Sequence, residues 1–156
     1  MATNKIADTI IARAAFTITL ASLANGSARQ STLISNTVAY PEALIGVRIK
    51  SGAAAPTVGT VYEIYLLRSD GTVADDNAGA SDAAITIENA SLLGTLIVTA
   101  TANKSFYGVF STRALGPLGS TWGIAIKNSS AQTISTTEAD HAAGYSYVIP
   151  DIQAAA

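Results

Sequence analysis

Apolar and polar residues alternate in short stretches along most of this chain, which is the pattern that half-buried β-strands produce. In Phe16–Leu20, for example, two threonines alternate with phenylalanine, isoleucine and leucine. Turn residues such as Asn25-Gly26 separate these stretches, at intervals of about 8–15 residues that suit a sandwich or a barrel. The pattern predicts about eight strands, near residues 16–20, 29–35, 43–50, 61–67, 92–99, 105–111, 122–127 and 142–149.

No helical pattern lies between these strands, so the chain has no source of the crossover helices that a parallel sheet requires. It is therefore predicted to be all-β, an antiparallel β-sandwich with a jelly-roll-like topology. Residues 14–150 are expected to form the sandwich and residues 151–156 a tail. Residues 1–13 lie outside the strand pattern, and the helical spacing of Ile6, Ile10 and Ile11 predicts a short helix or an extended arm there.

The apolar side chains of these strands are expected to form one core between the two sheets. A chain of 156 residues buries about 68–70% of its unfolded surface. A core of that size needs no disulfides, and the chain has no cysteine. The residues expected to face the core are Phe16, Ile18, Leu20, Leu44, Val47, Ile49, Val61, Ile64, Leu66, Leu96, Val98, Val109, Trp122, Ile124, Ile126 and Val148.

Charged residues are sparse, at 13% of the chain against about 25% in typical soluble domains. Nine basic and eleven acidic residues give a net charge of −2, and neither sign forms a run. Nucleic-acid-binding proteins concentrate Lys and Arg to neutralise phosphates, so nucleic acid is not an expected partner. A surface made mainly of Ser, Thr, Asn, Gly and Ala is easily desolvated, which favours contacts with other proteins.

The apolar runs are too short for a membrane partner to be expected, because a span needs roughly 18–20 consecutive apolar residues. Near the N-terminus, Asp8 and Arg13 interrupt the apolar positions. A secretory signal requires an unbroken apolar segment, so the sequence predicts none here.

His141 is the one histidine of the chain, and it lies beside Asp140 with Ser146 nearby. These three residue types form the triad of serine hydrolases. Neighbouring residues of a strand point to opposite faces, however, which places Asp140 badly for orienting His141. The chain also lacks the Gly-x-Ser-x-Gly motif of many hydrolases. No catalytic residue is therefore assigned, and the protein is not expected to be an enzyme.

The segment Asp75-Asp76-Asn77-Ala78-Gly79, together with Asp82, is rich in oxygen atoms that could bind Ca²⁺. It lacks the ligand spacing of an EF-hand, and the same residue types are common in ordinary turns. No metal or cofactor is expected.

Two carboxylates, Glu42 and Glu63, lie at or near predicted strands, where a glycosidase could carry its catalytic pair. A single glutamate on an apolar strand more often faces solvent or forms an ion pair. Glu63 is expected to face outward or to pair with Arg48 or Lys50 on a neighbouring strand.

Aromatic residues leave a second class of function open. Trp122 and Tyr145 are the candidates for stacking on sugar rings, as carbohydrate-binding proteins do with exposed aromatic side chains. Aromatic residues at alternating strand positions more often belong to the core or to cross-strand pairs.

Several segments, taken in order, resemble small virion structural proteins of tailed bacteriophages, the jelly-roll proteins that decorate or cement capsids. The similarity covers most of residues 16–150 and is clearest in the stretches GSARQS, EALIGVRIKSG and WGIAIKN. The segments that carry it are Leu20–Ser35, Tyr40–Gly52, Tyr62–Gly71, Leu92–Ala100 and Leu118–Ser129.

The resemblance implies a homotrimer on the capsid exterior that bridges neighbouring major capsid subunits. Residues 1–13 have no counterpart in it, and they are expected to form an arm that contacts the capsid through Ile6, Ile10, Ile11 and Arg13. The alternative is a carbohydrate- or receptor-binding module of a phage tail, collar or head fibre, which would use Trp122 and Tyr145.

Overall fold

Eleven strands form two antiparallel sheets in the computed structural model of this chain, which describes the backbone of residues 5–153 and the side chains of residues 7–150. Three short 3₁₀ helices, at Asp75–Asn77, Arg113–Leu115 and Glu138–Asp140, are the helical segments of this range. The predicted antiparallel, all-β sandwich is confirmed. The strands are β1 (Lys5–Ile10), β2 (Ala14–Ala15), β3 (Ala28–Gln30), β4 (Ile34–Ser35), β5 (Glu42–Lys50), β6 (Val61–Ser69), β7 (Ala83–Ile85), β8 (Ser91–Ile97), β9 (Ser105–Ser111), β10 (Thr121–Ser129) and β11 (Ala142–Gln153).

The strands divide between sheet A and sheet B in jelly-roll-like order. Sheet A has the order β1-β11-β5-β9, with β2 also paired to β11. Sheet B has the order β7-β3-β10-β6-β8, with β4 also paired to β10. The chain crosses between the sheets repeatedly, from β1 and β2 to β3 and β4, then to β5, to β6, to β9, to β10 and finally to β11. This repeated crossing is how a jelly roll closes two sheets around one core.

The core lies between the inner faces of the two sheets because each strand turns every second side chain inward. In β5 the inward residues are Ala43, Ile45, Val47 and Ile49, all buried. Trp122 of β10 has no exposed surface and lies in a cluster of aromatic rings. Its centroid is 5.5 Å from that of Phe16 and 5.2 Å from that of Tyr145, and its Nε1 donates a hydrogen bond to the Tyr147 hydroxyl at 3.1 Å.

Three residues predicted for the core do not lie in it. Leu44 and Val61 are half-buried, and Val109 is 72% exposed. Each belongs to a stretch with apolar residues on both faces, where one face has to turn outward. In β5, Leu44 shares its face with Arg48, so Ile45 faces the core instead.

The N-terminal segment is part of sheet A and is not a helix. Residues 5–10 form β1, which pairs with β11 so that Ile10 lies opposite Val148 and Ala7 lies opposite Asp151. Strand β11 continues to Gln153, past the predicted end of the sandwich at residue 150. The predicted strand at 29–35 is interrupted, since β3 and β4 flank residues 31–33.

Candidate interaction surface

The outer face of sheet B is covered by the chain itself. Leu67 of β6 and Ala125 of β10 point away from the main core yet have no exposed surface. The segment at residues 70–90, which includes the edge strand β7, packs over them. We call this segment the sheet B cover. Its apolar contributors are Ala74, Ala78, Ile85, Ile87 and Ala90.

Polar contacts fasten the sheet B cover to the strands beneath it. Asp82 pairs with the Nε of Arg29 at 2.5 Å and accepts a hydrogen bond from the Thr19 hydroxyl at 2.6 Å. Gln30 donates from its Nε2 to the carbonyl oxygens of Gly79 and Ser81, at 2.9 and 2.7 Å. Burial raises the pKa of Asp82, but the hydrogen bonds from Arg29 and Thr19 outweigh it and lower the pKa below its usual value.

The outer face of sheet A is bare by comparison along the edge strand β9 and at the neighbouring part of β5. Val109 of β9 and Tyr107, two positions before it, are 72% and 70% exposed. Across the sheet from Val109, the register places Gly46 of β5 and then Gly144 of β11. Over Val109, Tyr107 and Gly46, no segment among the described residues packs as the sheet B cover does over sheet B.

A groove of about 480 Å³ runs across this bare region, and we call it groove A. Gly46 forms part of its floor, and a Cβ built there would have no atom within 4 Å. Gly144 differs, because its Cβ would lie 2.4 Å from the Arg13 guanidinium carbon and 2.6 Å from the Ala14 carbonyl oxygen. The Arg13 side chain therefore lies directly on Gly144. The residues that line groove A are Arg13, Gly46, Val47, Arg48, Tyr107, Gly108, Val109 and Ala142.

Two arginines give groove A its charge. Arg48 donates from Nη2 to the carbonyl oxygen of Ala139 at 2.8 Å. Its Nε is buried and has no hydrogen-bond partner in the part of the chain that the structure describes. Across residues 7–150, the ion pairs found involve neither Arg13 nor Arg48. Groove A therefore combines an apolar floor with two positive charges that a partner's carboxylate could neutralise.

His141 contacts backbone atoms of the neighbouring segments. It is buried, with its Nε2 3.1 Å from the Ser135 carbonyl oxygen and its Nδ1 3.4 Å from the backbone nitrogen of Lys50. Asp140 accepts a hydrogen bond from the Ser135 hydroxyl at 2.6 Å and pairs with the Lys50 Nζ at 3.0 Å. Both contacts lower the pKa of Asp140, the Ser135 bond most. The hydrogen bonds of the described residues do not join Asp140 or Ser146 to His141.

The acidic residues considered for calcium serve the sheet B cover instead. Asp75 accepts a hydrogen bond from the backbone N–H of Arg68 at 3.0 Å. Asp76 accepts from the backbone N–H groups of Asn89 and Ala90, at 2.6 and 3.1 Å. Asp82, as described, binds Arg29 and Thr19. Within the described ranges, no group of three or more His, Cys, Asp or Glu side chains could hold a metal ion.

The predicted pairing of Glu63 with Arg48 or Lys50 is wrong, because Glu63 lies in sheet B and both cations lie in sheet A. Glu63 accepts hydrogen bonds from the hydroxyl of Ser129, at 2.6 Å, and from the hydroxyl of Tyr65. Burial, followed by the hydrogen bond to Glu63, raises the pKa of Tyr65 to about 12. These contacts place Glu63 in a hydrogen-bond cluster of sheet B.

Glu42, the other candidate carboxylate, lies in sheet A. It is buried, and its Oε2 accepts from the Arg113 Nε at 2.6 Å. Arg113 also pairs with Asp8 of β1 at 3.1 Å. The two glutamates therefore belong to different sheets and to separate clusters.

The proposed sugar platform of Trp122 and Tyr145 is wrong. Trp122 has no exposed surface, so its ring cannot stack on a ligand. Tyr145 is half-buried, and its ring packs against the core at a centroid distance of 4.9 Å from Phe16. The exposed aromatic side chain of sheet A is Tyr107, on the edge strand β9.

The predicted capsid contacts are spread along the first strands. Arg13 lines groove A. Ile10 is 59% exposed on β1, whereas Ile11 is half-buried and its N–H bonds the Tyr147 carbonyl at 2.9 Å. The side chain of Ile6 lies outside the described residues. Sequence reasoning missed Gly46 and assigned Val109 to the core. The available signal was Gly46 itself, since glycine inside a strand often marks a close approach by another molecule.

Comparison of the chain with protein-family models, with curated proteins and with solved structures gave no match. No helix in the described part of the chain is long and apolar enough to cross a membrane.

Proposed function

We propose that this protein is a non-enzymatic virion structural protein, which decorates and stabilises a phage capsid by bridging subunits of the major capsid protein. The bare outer face of sheet A carries the proposal. Apolar side chains left uncovered around a groove, on a domain that covers its other sheet, are typical of a surface that another protein completes. The resemblance of the sequence to capsid decoration proteins supplies the identity of the partner.

The sparse charge of the chain supports the same proposal. With 13% charged residues, little of the surface has to be stripped of strongly bound water when a partner packs on it. A protein that binds the assembled shell, and not its separate subunits, stabilises that shell by mass action. On this proposal the protein is a homotrimer on the capsid exterior.

The N-terminal segment contributes to this surface in a different way from the arm expected from the sequence. Because β1 pairs with β11, Ile10 and Arg13 are held on sheet A and need no separate tether. Deleting residues 2–12 would remove an edge strand of the sheet. A single substitution on the outer face is therefore a cleaner test of attachment than the deletion.

A glycan-binding module of a tail, collar or head fibre is the second candidate, and the exposure of Tyr107 favours it. An exposed ring beside two arginines could stack on a sugar and bind an acidic substituent. The apolar floor of groove A favours protein over sugar, because sugar hydroxyls require several polar partners.

The test uses virus particles that lack the protein, to which purified protein is added. Val109→Lys places a charge on the bare face, and we expect its occupancy on the particles and its heat protection to fall at least tenfold at limiting concentration. Thr86→Lys is the matched control, since Thr86 is exposed on the sheet B cover, and it should decorate as the wild type does.

Two results would contradict the proposal. One is undiminished occupancy of the Val109→Lys protein. The other is equal resistance to heat of particles with and without the protein. Loss of binding to host-surface glycans in Tyr107→Ala, with capsid stability unaffected, would favour the second candidate.

A further inference from the structure

Gly46 is an unexpected residue for its position, in the middle of a central strand of sheet A. Glycine is disfavoured there, because it gives up more backbone freedom than other residues and offers no side chain to pack. The fold does not require it: its φ is not positive, and a Cβ would have no atom within 4 Å. The space above Gly46 is therefore open to an approaching molecule.

The lining of groove A defines what that molecule should carry. The floor of Gly46, Val109 and Ala142 is apolar, which suits a small or medium apolar side chain. Arg13 and Arg48 line the same groove without a carboxylate partner among the described residues. The complementary group is thus an apolar side chain with a carboxylate close beside it.

One of the described loops presents this combination. Val38, Val58 and Val73 are exposed valines in loops of the described chain, and Val73, at 71% exposure, has a carboxylate held next to it. Oδ1 of Asp70 accepts hydrogen bonds from the backbone N–H groups of Thr72 and Val73, at 2.7 and 2.8 Å. We call residues 70–73 the Val73 tip.

On the basis of the function proposed above, we propose that groove A binds the Val73 tip of a second copy of this chain. Val73 lies over Gly46, and the carboxylate of Asp70 faces Arg13 and Arg48. The backbone hydrogen bonds from Val73 and Thr72 lower the pKa of Asp70, so the group is ionised at neutral pH.

The contact is head-to-tail, because the tip follows β6 of sheet B whereas the groove lies on sheet A. One copy can therefore offer its tip to one neighbour and its groove to another. A contact of this kind closes into a ring when the rotation between copies permits it. A ring of three would be the homotrimer of the proposed function. Because Val109 lines groove A, the loss of decoration expected for Val109→Lys would then follow from loss of this ring.

The first experiment measures self-association by sedimentation velocity over a concentration series. The wild type should associate as concentration rises. Gly46→Val fills the groove and Val73→Ser removes the apolar group of the tip, and each should weaken association at least tenfold. Val58→Ser is the control, since it changes an exposed loop valine without a neighbouring carboxylate, and it should associate normally.

Mixing the two defective variants tests the head-to-tail geometry. The Gly46→Val protein keeps a working tip and the Val73→Ser protein keeps a working groove. A mixture in equal amounts should form heterodimers, since one contact of each pair is intact, and should not grow further. Each variant alone should stay monomeric, with a circular dichroism spectrum like that of the wild type.

Several outcomes would overturn the self-association contact. They are a wild type that is monomeric at every concentration, association that survives Gly46→Val, and a mixture that stays monomeric. If the wild type were monomeric and Gly46→Val no longer bound particles, a shell protein would occupy groove A and the proposed function would stand. If self-association behaved as expected while particles stayed undecorated, the proposed function alone would fail.

Discussion

The outer faces of the two sheets both carry apolar side chains, but these are covered on sheet B and exposed on sheet A. Sheet B turns Leu67 and Ala125 outward, and the segment at residues 70–90 buries both. Sheet A turns Val109 and Tyr107 outward around Gly46, and they are left exposed. Among the described residues, therefore, a cover of this kind packs on sheet B and not on sheet A. A sheet face that keeps apolar side chains without a cover is the one on which to look for a partner.

The largest loss of stability should come from a substitution in the core between the two sheets, and it gives a reference for the losses on the outer faces. Trp122→Ala should lower the free energy of unfolding by about 3–5 kcal/mol, because a fully buried ring is replaced by a cavity. Urea unfolding followed by circular dichroism measures it. A loss below about 1 kcal/mol would mean that the core collapses around the gap and does not set the stability of the sandwich.

The next prediction compares the two outer faces directly. Leu67→Ala, under the sheet B cover, should cost about 2–5 kcal/mol, as buried leucines do. Val109→Ala, on the bare face of sheet A, should change stability by less than about 0.5 kcal/mol in the isolated protein. Thermal and urea unfolding of the two variants give both values. Equal losses would show that the faces are covered alike in solution.

The attachment of the sheet B cover should depend on pH through Asp82. The folded-state pKa of Asp82 is lowered, so its contribution is complete above the unfolded pKa of about 3.9 and is lost as pH falls through the folded value. Asp82→Asn should therefore cost about 1 kcal/mol at pH 7, and the cost should shrink as pH falls through the folded-state pKa of Asp82.

Unfolding of both proteins across this pH range provides the measurement. The control is Glu88→Gln, an exposed position of the same cover, which should leave stability unchanged. A cost of Asp82→Asn that stayed constant down to pH 2 would assign the effect to packing and not to charge.

The smallest expected effect distinguishes two glycines of the bare face. Gly46→Ala should raise the free energy of unfolding by about 0.5–1 kcal/mol, because alanine loses less backbone entropy and has open space at this site. Gly144→Ala should give no such gain, since its Cβ would meet Arg13 and Ala14. A destabilised Gly46→Ala protein would mean that groove A is occupied above Gly46 in the isolated molecule.

The sandwich could be predicted because most strands keep their apolar residues on one face. Ile64 and Leu66 follow this alternation and were assigned to the core correctly, whereas Val61 was assigned to it in place of Tyr62. The choice of the inward face was wrong where both faces of a strand are apolar, as at Leu44. In that strand Arg48 and Lys50 indicate the outward face, because charged side chains point to solvent. Leu44 shares their face, so Ile45 must point inward.

The surface was harder to predict because its features depend on residues distant in sequence. Nothing near Leu67 signals that residues 70–90 fold back over it. Nothing near Arg13 signals that it lies on Gly144. The β1 strand was missed because Ile6, Ile10 and Ile11 follow helical spacing, and pairing with β11 outweighed that local pattern. Such long-range contacts are visible only once the register of the strands is known.

The strand order also constrains when the molecule can fold during its synthesis. In sheet A, β11 lies between β1 and β5, and in sheet B, β10 lies between β3 and β6. Both central strands follow all their neighbours along the chain, so β1, β3, β5 and β6 each keep one hydrogen-bonding edge without its partner until residues 121–150 have been made. Neither sheet can close before residues 121–150 are free, and a topology so rich in distant pairings folds slowly.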